Sequence, residues 1–497
     1  MEITGGQLIG NSISKKGETS FTGFNPVTNT PLAAVFHEAT EAEINEAVAL
    51  ADAAFWQYRK KSGAERAAFL EAIADEITAL GDELIKTAAL ETALPEARIT
   101  GERGRTVGQL RLFAGFIRDE KWLNTIEDTA QPDRQPLPKP RIVQKQIPLG
   151  VVAVFGASNF PLAFSVAGGD TVSALAAGCP VVFKAHPAHP ATCELVGRAI
   201  VEAARRTQMP EGVFSMVQGF SHGVGTALVT HPLVKAVGFT GSYKGGKALY
   251  DLAVRREEPI PVYAEMGSTN PVFFLKGALI KDTAALAGSF VGSITQGVGQ
   301  FCTNPGVFVV GREETGFVSQ VAERLAATPA GHLLTEGIRT AYVQGIAHQR
   351  QTAGTVALTG WDGQNPTPHL LQTTVAAALE NPELTEEVFG PSTVAVVADS
   401  PEEMLGFARH LKGHLTATIF GTEEDLQASQ ELIDILTTKV GRLVFNGFPT
   451  GVEVCHAMVH GGPFPATTDA RTTSVGTQAV YRFTRAIAFQ DFPAGMA

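Results

Sequence analysis

Between Gly150 and Arg255 the chain repeats one pattern four times: a short, wholly apolar run, a turn, then residues at helical spacing. Val151–Phe155 precedes an Ala-rich helix over Ser165–Ala177, and Pro180–Lys184 precedes a helix over Ala191–Thr207. Val213–Val217 precedes His222–Thr230, and Val234–Phe239 precedes Lys244–Arg255. Strands without polar alternation must be covered on both faces, so the series predicts an α/β fold built on an open parallel sheet. Ligands of such sheets bind beyond the carboxyl ends of the strands, which makes the residues just after each run the functional candidates.

A second α/β region begins near Pro261. Its expected strands are Val262–Glu265, Pro271–Leu275, Gly306–Val310, Val394–Val397, Leu415–Ile419 and Arg442–Asn446, with a small-residue helix over Thr283–Gly299. Upstream, Thr40–Tyr58 and Ala64–Glu91 carry helical spacing, Thr40 with Glu43 fits a capping box, and another helix is expected through Arg103–Phe116. Asp128–Arg141 is Pro- and charge-rich without periodicity, which suits a solvated linker or an arm that pairs with another subunit. The last thirty residues return to a β-like pattern.

At 497 residues the chain has room for two or three domains, and a net charge of −11 argues against a nucleic-acid partner. The most apolar stretch, Val151–Phe183, is interrupted by Asn159, Pro161, Asp170 and Pro180, so no membrane span is expected. The N-terminal residues do not form a secretory signal. Cys179, Cys193, Cys302 and Cys455 fit neither a disulfide framework nor a zinc ribbon, and a cytoplasmic protein is expected.

Cys302 lies in GQFCTNPG, where a helix gives way to a strand. Gly297, Gly299 and Gly306 allow close backbone approach, and Gln300, Thr303 and Asn304 are polar company. Free cysteines are usually packed inside; these neighbours favour an exposed nucleophile. Cys179 is assigned to packing, and Cys193 and Cys455 lack a neighbour that would activate them. Glu265 ends an apolar strand and is either a general base with a pKa raised by burial or a salt-bridged acid. Asn159 follows the first strand and is either an oxyanion donor or a turn-stabilising amide. Phe239-Thr240-Gly241-Ser242 opens a helix after the fourth strand, as a phosphate site or an ordinary cap. Lys184 ends the second strand and aims a cation at the same edge. His186 and His189 have no carboxylate or cysteine beside them, so no metal site is expected. The GxGxxG fingerprint is absent; Gly219 to Gly225 is a weak substitute.

In order along nearly the whole chain, these segments resemble the aldehyde dehydrogenase superfamily. Asn159-Phe160-Pro161, Lys184, Phe239 to Ser242, Glu265-Met266-Gly267-Ser268, Gly299 to Cys302 and Glu387-Val388-Phe389-Gly390-Pro391 match its motifs. The resemblance implies a nucleotide-binding domain (residues 1–124 and 148–258), a catalytic domain (259–465) and oligomerisation segments (125–147 and 466–497), assembled as a homodimer or homotetramer. It also implies aldehyde oxidation to a carboxylate. Cys302 would be the nucleophile, with the Asn159 amide and the Cys302 N–H as oxyanion donors and Glu265 as activator of hydrolytic water. Cofactor residues implied are Lys184, Gly241, Ser242, Phe155, Gly225, Glu387 and Phe389, with no metal.

Two positions depart from the family pattern. Pro187 stands where NAD-preferring relatives often carry a glutamate, so the expectation leans to NADP over NAD, with Lys184 and His222 favouring the former. Ser268 replaces the usual second glycine, and Ser221 lies in the third-strand loop. Leu90–Pro95, the segment after Phe155, and Gly441–Pro463 resemble the branch of α-ketoglutarate semialdehyde (2,5-dioxopentanoate) dehydrogenases and NADP-dependent fatty aldehyde dehydrogenases. Arg103, Arg105 and Arg111 lie on a helix expected to line the substrate tunnel. An inward arginine would select the keto acid by bidentate pairing, and Arg105 is the one assigned to substrate. Phe160, Phe164 and Phe301 would form the tunnel wall. The keto-acid semialdehyde is the substrate expected, with a long-chain aldehyde as the alternative. A CoA-acylating enzyme would typically lack Glu265. A cysteine hydrolase without nucleotide would want a histidine beside Cys302, and either His456 or His460 could supply it.

Overall fold

The computed structural model describes residues 2–493. The four strand–helix repeats form a parallel sheet in the order Val262–Glu265, Val234–Thr240, Val151–Phe155, Val181–Lys184, Phe214–Val217, extended by the antiparallel Gln7–Ile9 and Ser12–Ser14. Strand order therefore reverses between Val151–Phe155 and Val234–Thr240, and a crevice opens there at the strands' carboxyl ends. A second sheet runs Val356–Ala357, His369–Thr374, Ser392–Ala398, Val307–Gly311, Val272–Phe274, Thr416–Phe420, Arg442–Phe445, parallel except at its first pair. Both central sheets are apolar on both faces: Val151–Phe155, Phe214–Val217 and Thr416–Phe420 are buried throughout.

Local chemistry sets several boundaries. The Glu41–Tyr58 helix has the expected capping box, the Glu43 N–H donating to Thr40 Oγ1 at 3.2 Å and the Thr40 N–H to the Glu43 carboxylate at 2.9 Å. The helix expected over Ala64–Glu91 is two helices, Gly63–Ala79 and Gly81–Thr92, because the chain turns at Gly81 with φ +56°. The helix expected from Ser165 begins at Gly169. Upstream of it, the Leu162 and Ala163 N–H groups donate to Glu102 at 2.9 Å each, so a buried side chain shapes this turn. The helix expected through Arg103–Phe116 is longer, Glu96–Ile117, and starts directly after Pro95. The one expected over Thr283–Gly299 runs from Lys276 to Thr295.

The non-periodic Asp128–Arg141 segment is anchored in β structure at both ends. Ile142–Pro148 pairs antiparallel with Ile126–Asp128 on one side and Thr484–Gln490 on the other, giving a separate three-stranded sheet. Residues 494–497 of the expected C-terminal segment lie outside the described residues. Among the described residues no helix is long and apolar enough to cross a membrane.

The C-terminal return is tied to the first sheet by a buried ion pair. Arg482 Nη1 lies 2.7 Å from Asp170 in the first turn of the Gly169–Ala177 helix, and Nη2 donates to Ser173 Oγ at 3.2 Å. Removing one partner strands the other charge, so Arg482→Ala should cost about 3–5 kcal/mol of stability in denaturant unfolding. Asp170→Ala/Arg482→Ala should cost clearly less than the sum of the two single changes; full additivity would show that the pair does not act as a unit.

Candidate active site

Three consecutive residues before the candidate nucleophile, Gly297, Val298 and Gly299, have φ of +57°, +58° and +67°. A β-branched residue in the left-handed region is strained, and Val298 is held there by its surroundings. The Gln300 side chain clamps the turn, donating to Gly297 O at 3.1 Å and accepting from the Leu334 N–H at 2.9 Å. A Cβ on Gly299 would collide with the backbone of Gly390 and Pro391. The expected close approach is thus made to another loop rather than to a ligand, and it binds the Glu387–Pro391 segment to the Cys302 loop. Asn270, fully buried, gathers the carbonyls on the other side, its amide donating to Cys302 O and Asn304 O at 2.9 Å each. Ser268 is built into the same knot: its hydroxyl donates to Asn270 Oδ1 at 2.9 Å and accepts from the Leu415 N–H at 3.0 Å.

The Cys302 thiol emerges half-buried from this loop. His460 Nε2 lies 3.6 Å from its sulfur and 2.9 Å from Glu265 Oε1, while Ser474 Oγ donates to the other Glu265 oxygen at 2.6 Å. Glu265 is only 3 % exposed and His460 1 %. Burial pushes the Glu265 carboxyl up, but the neighbouring His460 and hydrogen bonds from His460, Ser474 and Cys302 outweigh it and hold the group below its ordinary value. Of the two alternatives for Glu265, the carboxyl raised by burial is set aside and the paired acid is the one present. Burial, and then the Glu265 carboxylate, push the Cys302 thiol well above its ordinary value, with Arg105 pulling the other way. The arrangement gathers a thiol and an imidazole on one carboxylate: Glu265 accepts from both, and His460 meets it through Nε2, the same nitrogen that faces the sulfur. Their ligand atoms lie within 4.8 Å of one another, a set that zinc could also claim.

Of the two histidines considered beside Cys302, His460 is in place. His456 instead faces Thr477 at 3.1 Å and Phe116. The Asn159 amide donates to Gln300 O at 3.0 Å, so one of its two hydrogens braces the nucleophile loop and the second remains for an oxyanion.

Phe301, Phe160 and Phe164 form an edge-to-face chain, with centroids 5.2 and 5.3 Å apart, that reaches the His460 ring at 6.1 Å. The three tunnel arginines separate. Arg103 donates to Gly81 O and Arg111 pairs with Asp75 at the surface, so neither faces the thiol, and Arg105 stays the one inward candidate among the three. Arg105 lies over the Phe164 ring at 5.1 Å, and its Nη1 is buried without a hydrogen-bond partner among the described residues. Arg98, which the sequence did not single out, sits between Phe160 and Phe301 at 4.6 and 4.7 Å and faces Glu102 at 3.6 Å. Arg98, Glu102 and Arg105 share one helix face at i, i+4 and i+7, a signal the sequence carried.

At the crevice of the first sheet, Phe155 and Phe239 face each other at 6.5 Å, and a Cβ on Gly225 would touch Phe155 at 3.4 Å. Ser242 caps the Tyr243–Val254 helix, accepting from the Gly245 N–H at 3.2 Å, and is exposed. The Gly241 N–H is engaged with Glu265 O at 3.1 Å, so Gly241 can offer a ligand room but not its donor. Lys184 donates to Gly219 O at 2.5 Å, and burial brings its pKa down to about 8. Glu387 stands open in the cleft but crowded by protein, and that desolvation pushes it up to about 7. A Cβ on Gly267 would run into its carboxylate, and Phe389 is half-buried two residues on. These residues suit a dinucleotide: a helix N-terminus with a free hydroxyl, a cation at a strand end, and an open floor at the switch point.

Cys193 does have a polar partner, His189 Nδ1 at 3.2 Å, but both are fully buried, and burial pushes the thiol up to about 12. His186 stacks on His189 at 5.3 Å, and burial holds its pKa well below the ordinary value.

The aldehyde dehydrogenase family model matches residues 13–473. The chain is 49 % identical over 500 aligned residues to alpha-ketoglutaric semialdehyde dehydrogenase 2 of Azospirillum brasilense, covering 99 % of this chain and 95 % of that one. It is 45 % identical to alpha-ketoglutaric semialdehyde dehydrogenase of Acinetobacter baylyi, covering 99 % and 94 %. An aldehyde dehydrogenase of Bacillus cereus, solved as its NAD+ complex, shares the fold with TM-score 0.82 at 24 % identity over 98 % of this chain and 96 % of that one.

A thiol held protonated by a neighbouring carboxylate should react faster when that charge is removed. Glu265→Gln is expected to speed iodoacetamide alkylation of Cys302 at pH 8, by up to about tenfold, followed by mass spectrometry to separate it from Cys455. An unchanged or slower rate would show that Glu265 does not hold the proton on the thiol.

Proposed function

The chain belongs to the aldehyde dehydrogenase family, and within it we propose that the enzyme oxidises α-ketoglutarate semialdehyde (2,5-dioxopentanoate) to 2-oxoglutarate. The observation that carries this reading is Arg105: a half-buried side chain whose Nη1 is buried without a partner among the described residues, seated on Phe164 and close enough to Cys302 for their charges to interact. An apolar tunnel for a long-chain aldehyde would leave that donor unsatisfied, whereas the distal carboxylate of a keto-acid semialdehyde completes it. The names of the two relatives at 49 % and 45 % identity support the same substrate.

In this reading the Cys302 sulfur adds to the aldehyde carbon as the thiol proton passes through the Glu265 carboxylate to solvent, and the Asn159 amide with the Cys302 N–H steadies the oxyanion. A nicotinamide dinucleotide supplies the hydride acceptor. Collapse of the oxyanion expels hydride and leaves a thioester on Cys302. Glu265, kept ionised by His460 and Ser474, then takes a proton from the water that cleaves it. No CoA is required. Glu387 would hold the nicotinamide ribose, and Ser242 and Lys184 the pyrophosphate and adenosine side.

Residues 1–124 and 148–258 would form the nucleotide domain and residues 259–465 the catalytic one. Segments 125–147 and 466–497 would form the arm of a homodimer or homotetramer, a reading supported by the three-stranded sheet and by exposed Ile126, Leu137 and Phe492. Four unpaired cysteines suit a reducing, cytoplasmic setting.

Turnover of 2,5-dioxopentanoate and of tetradecanal, each with NAD+ and NADP+ and without CoA, tests the reaction. The keto-acid semialdehyde should be preferred by kcat/KM, and faster turnover of tetradecanal would overturn the substrate reading. Arg105→Met should raise KM for 2,5-dioxopentanoate by about ten- to a hundredfold, as expected for loss of a charged hydrogen bond. It should leave propanal oxidation within a few-fold; equal losses on both substrates would remove Arg105 as the carboxylate's partner.

A further inference from the structure

The loop that follows Lys184, Ala185 to His189, contains no acid. A carboxylate nevertheless reaches this edge of the sheet, from a part of the chain remote in sequence. Glu38 directly follows the Thr30–His37 strand, and its backbone is fixed by the Glu38 N–H to Thr19 O at 2.8 Å and the Ala39 N–H to Gln218 O at 2.9 Å. One carboxylate oxygen accepts from the Phe220 and Ser221 N–H groups at 2.8 and 2.7 Å, and the other from Ser221 Oγ at 2.7 Å. Ser221 is the cap of the His222–Thr230 helix, so Glu38 fills the donor cluster at that helix's start. Lys184 reaches the same loop through Gly219 O, and Glu38 is the carboxylate whose charge acts on it. Burial pushes the Glu38 carboxyl up, but the donors on Ser221 and Phe220, and Lys184, outweigh it, so the group is ionised at neutral pH.

We propose that Glu38 sets the choice of dinucleotide: its carboxylate stands where the 2′ side of the adenine ribose is bound, and the chain takes NAD+ in preference to NADP+. The inference rests on the dinucleotide reading given above. In dinucleotide-binding sheets an acid at this edge accepts from the ribose hydroxyls, and the same charge repels a 2′-phosphate. Here the repulsion has a second component. A phosphate of charge about −1.5 to −2 would need the same two N–H groups and hydroxyl that Glu38 already occupies. NADP+ must therefore expel an ionised side chain from three hydrogen bonds, whereas NAD+ needs only lone pairs that a carboxylate still has to offer. Pro187, which led the sequence toward NADP, is thereby compensated by an acid from the other end of the domain.

Dissociation constants for NAD+ and NADP+, measured by titration calorimetry without aldehyde, test this on the wild-type enzyme, Glu38→Gln and Glu38→Ala. The wild type should bind NAD+ at least about tenfold more tightly, and Glu38→Gln, which keeps an acceptor for the Phe220 and Ser221 N–H groups, should narrow the gap by about tenfold. Glu38→Ala, which vacates the donor cluster, should narrow it further. A ratio unchanged in both variants overturns the role of Glu38 while leaving dinucleotide binding intact. Equal or tighter NADP+ binding by the wild type overturns it without any variant. Absence of binding by either dinucleotide would instead remove the cofactor reading and this inference with it.

Discussion

The 2.9 Å contact between Glu265 and His460 is the point on which the reactive centre depends. Glu265 ends a strand of the first sheet, Cys302 precedes a strand of the second, and His460 arrives on the returning segment between them. Each alone would be a poor reagent: a buried acid, a thiol held protonated, an imidazole with no orientation. Held together, the acid stays ionised because the imidazole and Ser474 stabilise its charge, and the imidazole is fixed beside the sulfur with its Nε2 directed to the acid. Two sheets that share no hydrogen-bond ladder are coupled through three side chains.

Around this centre, rigidity is supplied by polar groups more than by apolar packing. Asn270 and Ser268 secure the carbonyls of the nucleophile loop, Gln300 secures its strained left-handed turn, and Asn159 braces it from the first sheet. Every one of these groups is buried, so each hydrogen bond would be costly to leave unmade. Ser268 illustrates the point: a glycine there would leave Asn270 Oδ1 and the Leu415 N–H each one partner short.

The cleft has two charged ends of opposite design. Beside the phenyl rings, Arg98 is balanced by Glu102, while Arg105 keeps a donor without a hydrogen-bond partner among the described residues. At the carboxyl ends of the first sheet's strands, Lys184 and the donors of the Ser221 turn are met by Gly219 and Glu38. At one end a buried donor has no partner among the described residues, and at the other the donors are met by an acid of the chain itself.

The sequence by itself determined the parallel α/β architecture, because apolar runs separated by helical spacing can be buried in few other ways. It also placed Cys302, Glu265 and Asn159 at strand and helix ends, where such folds hold their ligands. It assigned Arg105 to the substrate without a local sign separating it from Arg103 and Arg111, since all three lie on one helix and packing decides which of them meets a phenyl ring. It left Glu265 as either raised by burial or salt-bridged, because the partner that decides between them, His460, lies 195 residues away and has no local signature. It read Pro187 as a missing acid, because Glu38 reaches that edge only once the N-terminal strand is laid across the sheet. Periodicity and turn chemistry are local and survive in the sequence; charge balance belongs to the pairs that folding brings together, and only the tertiary structure decided it.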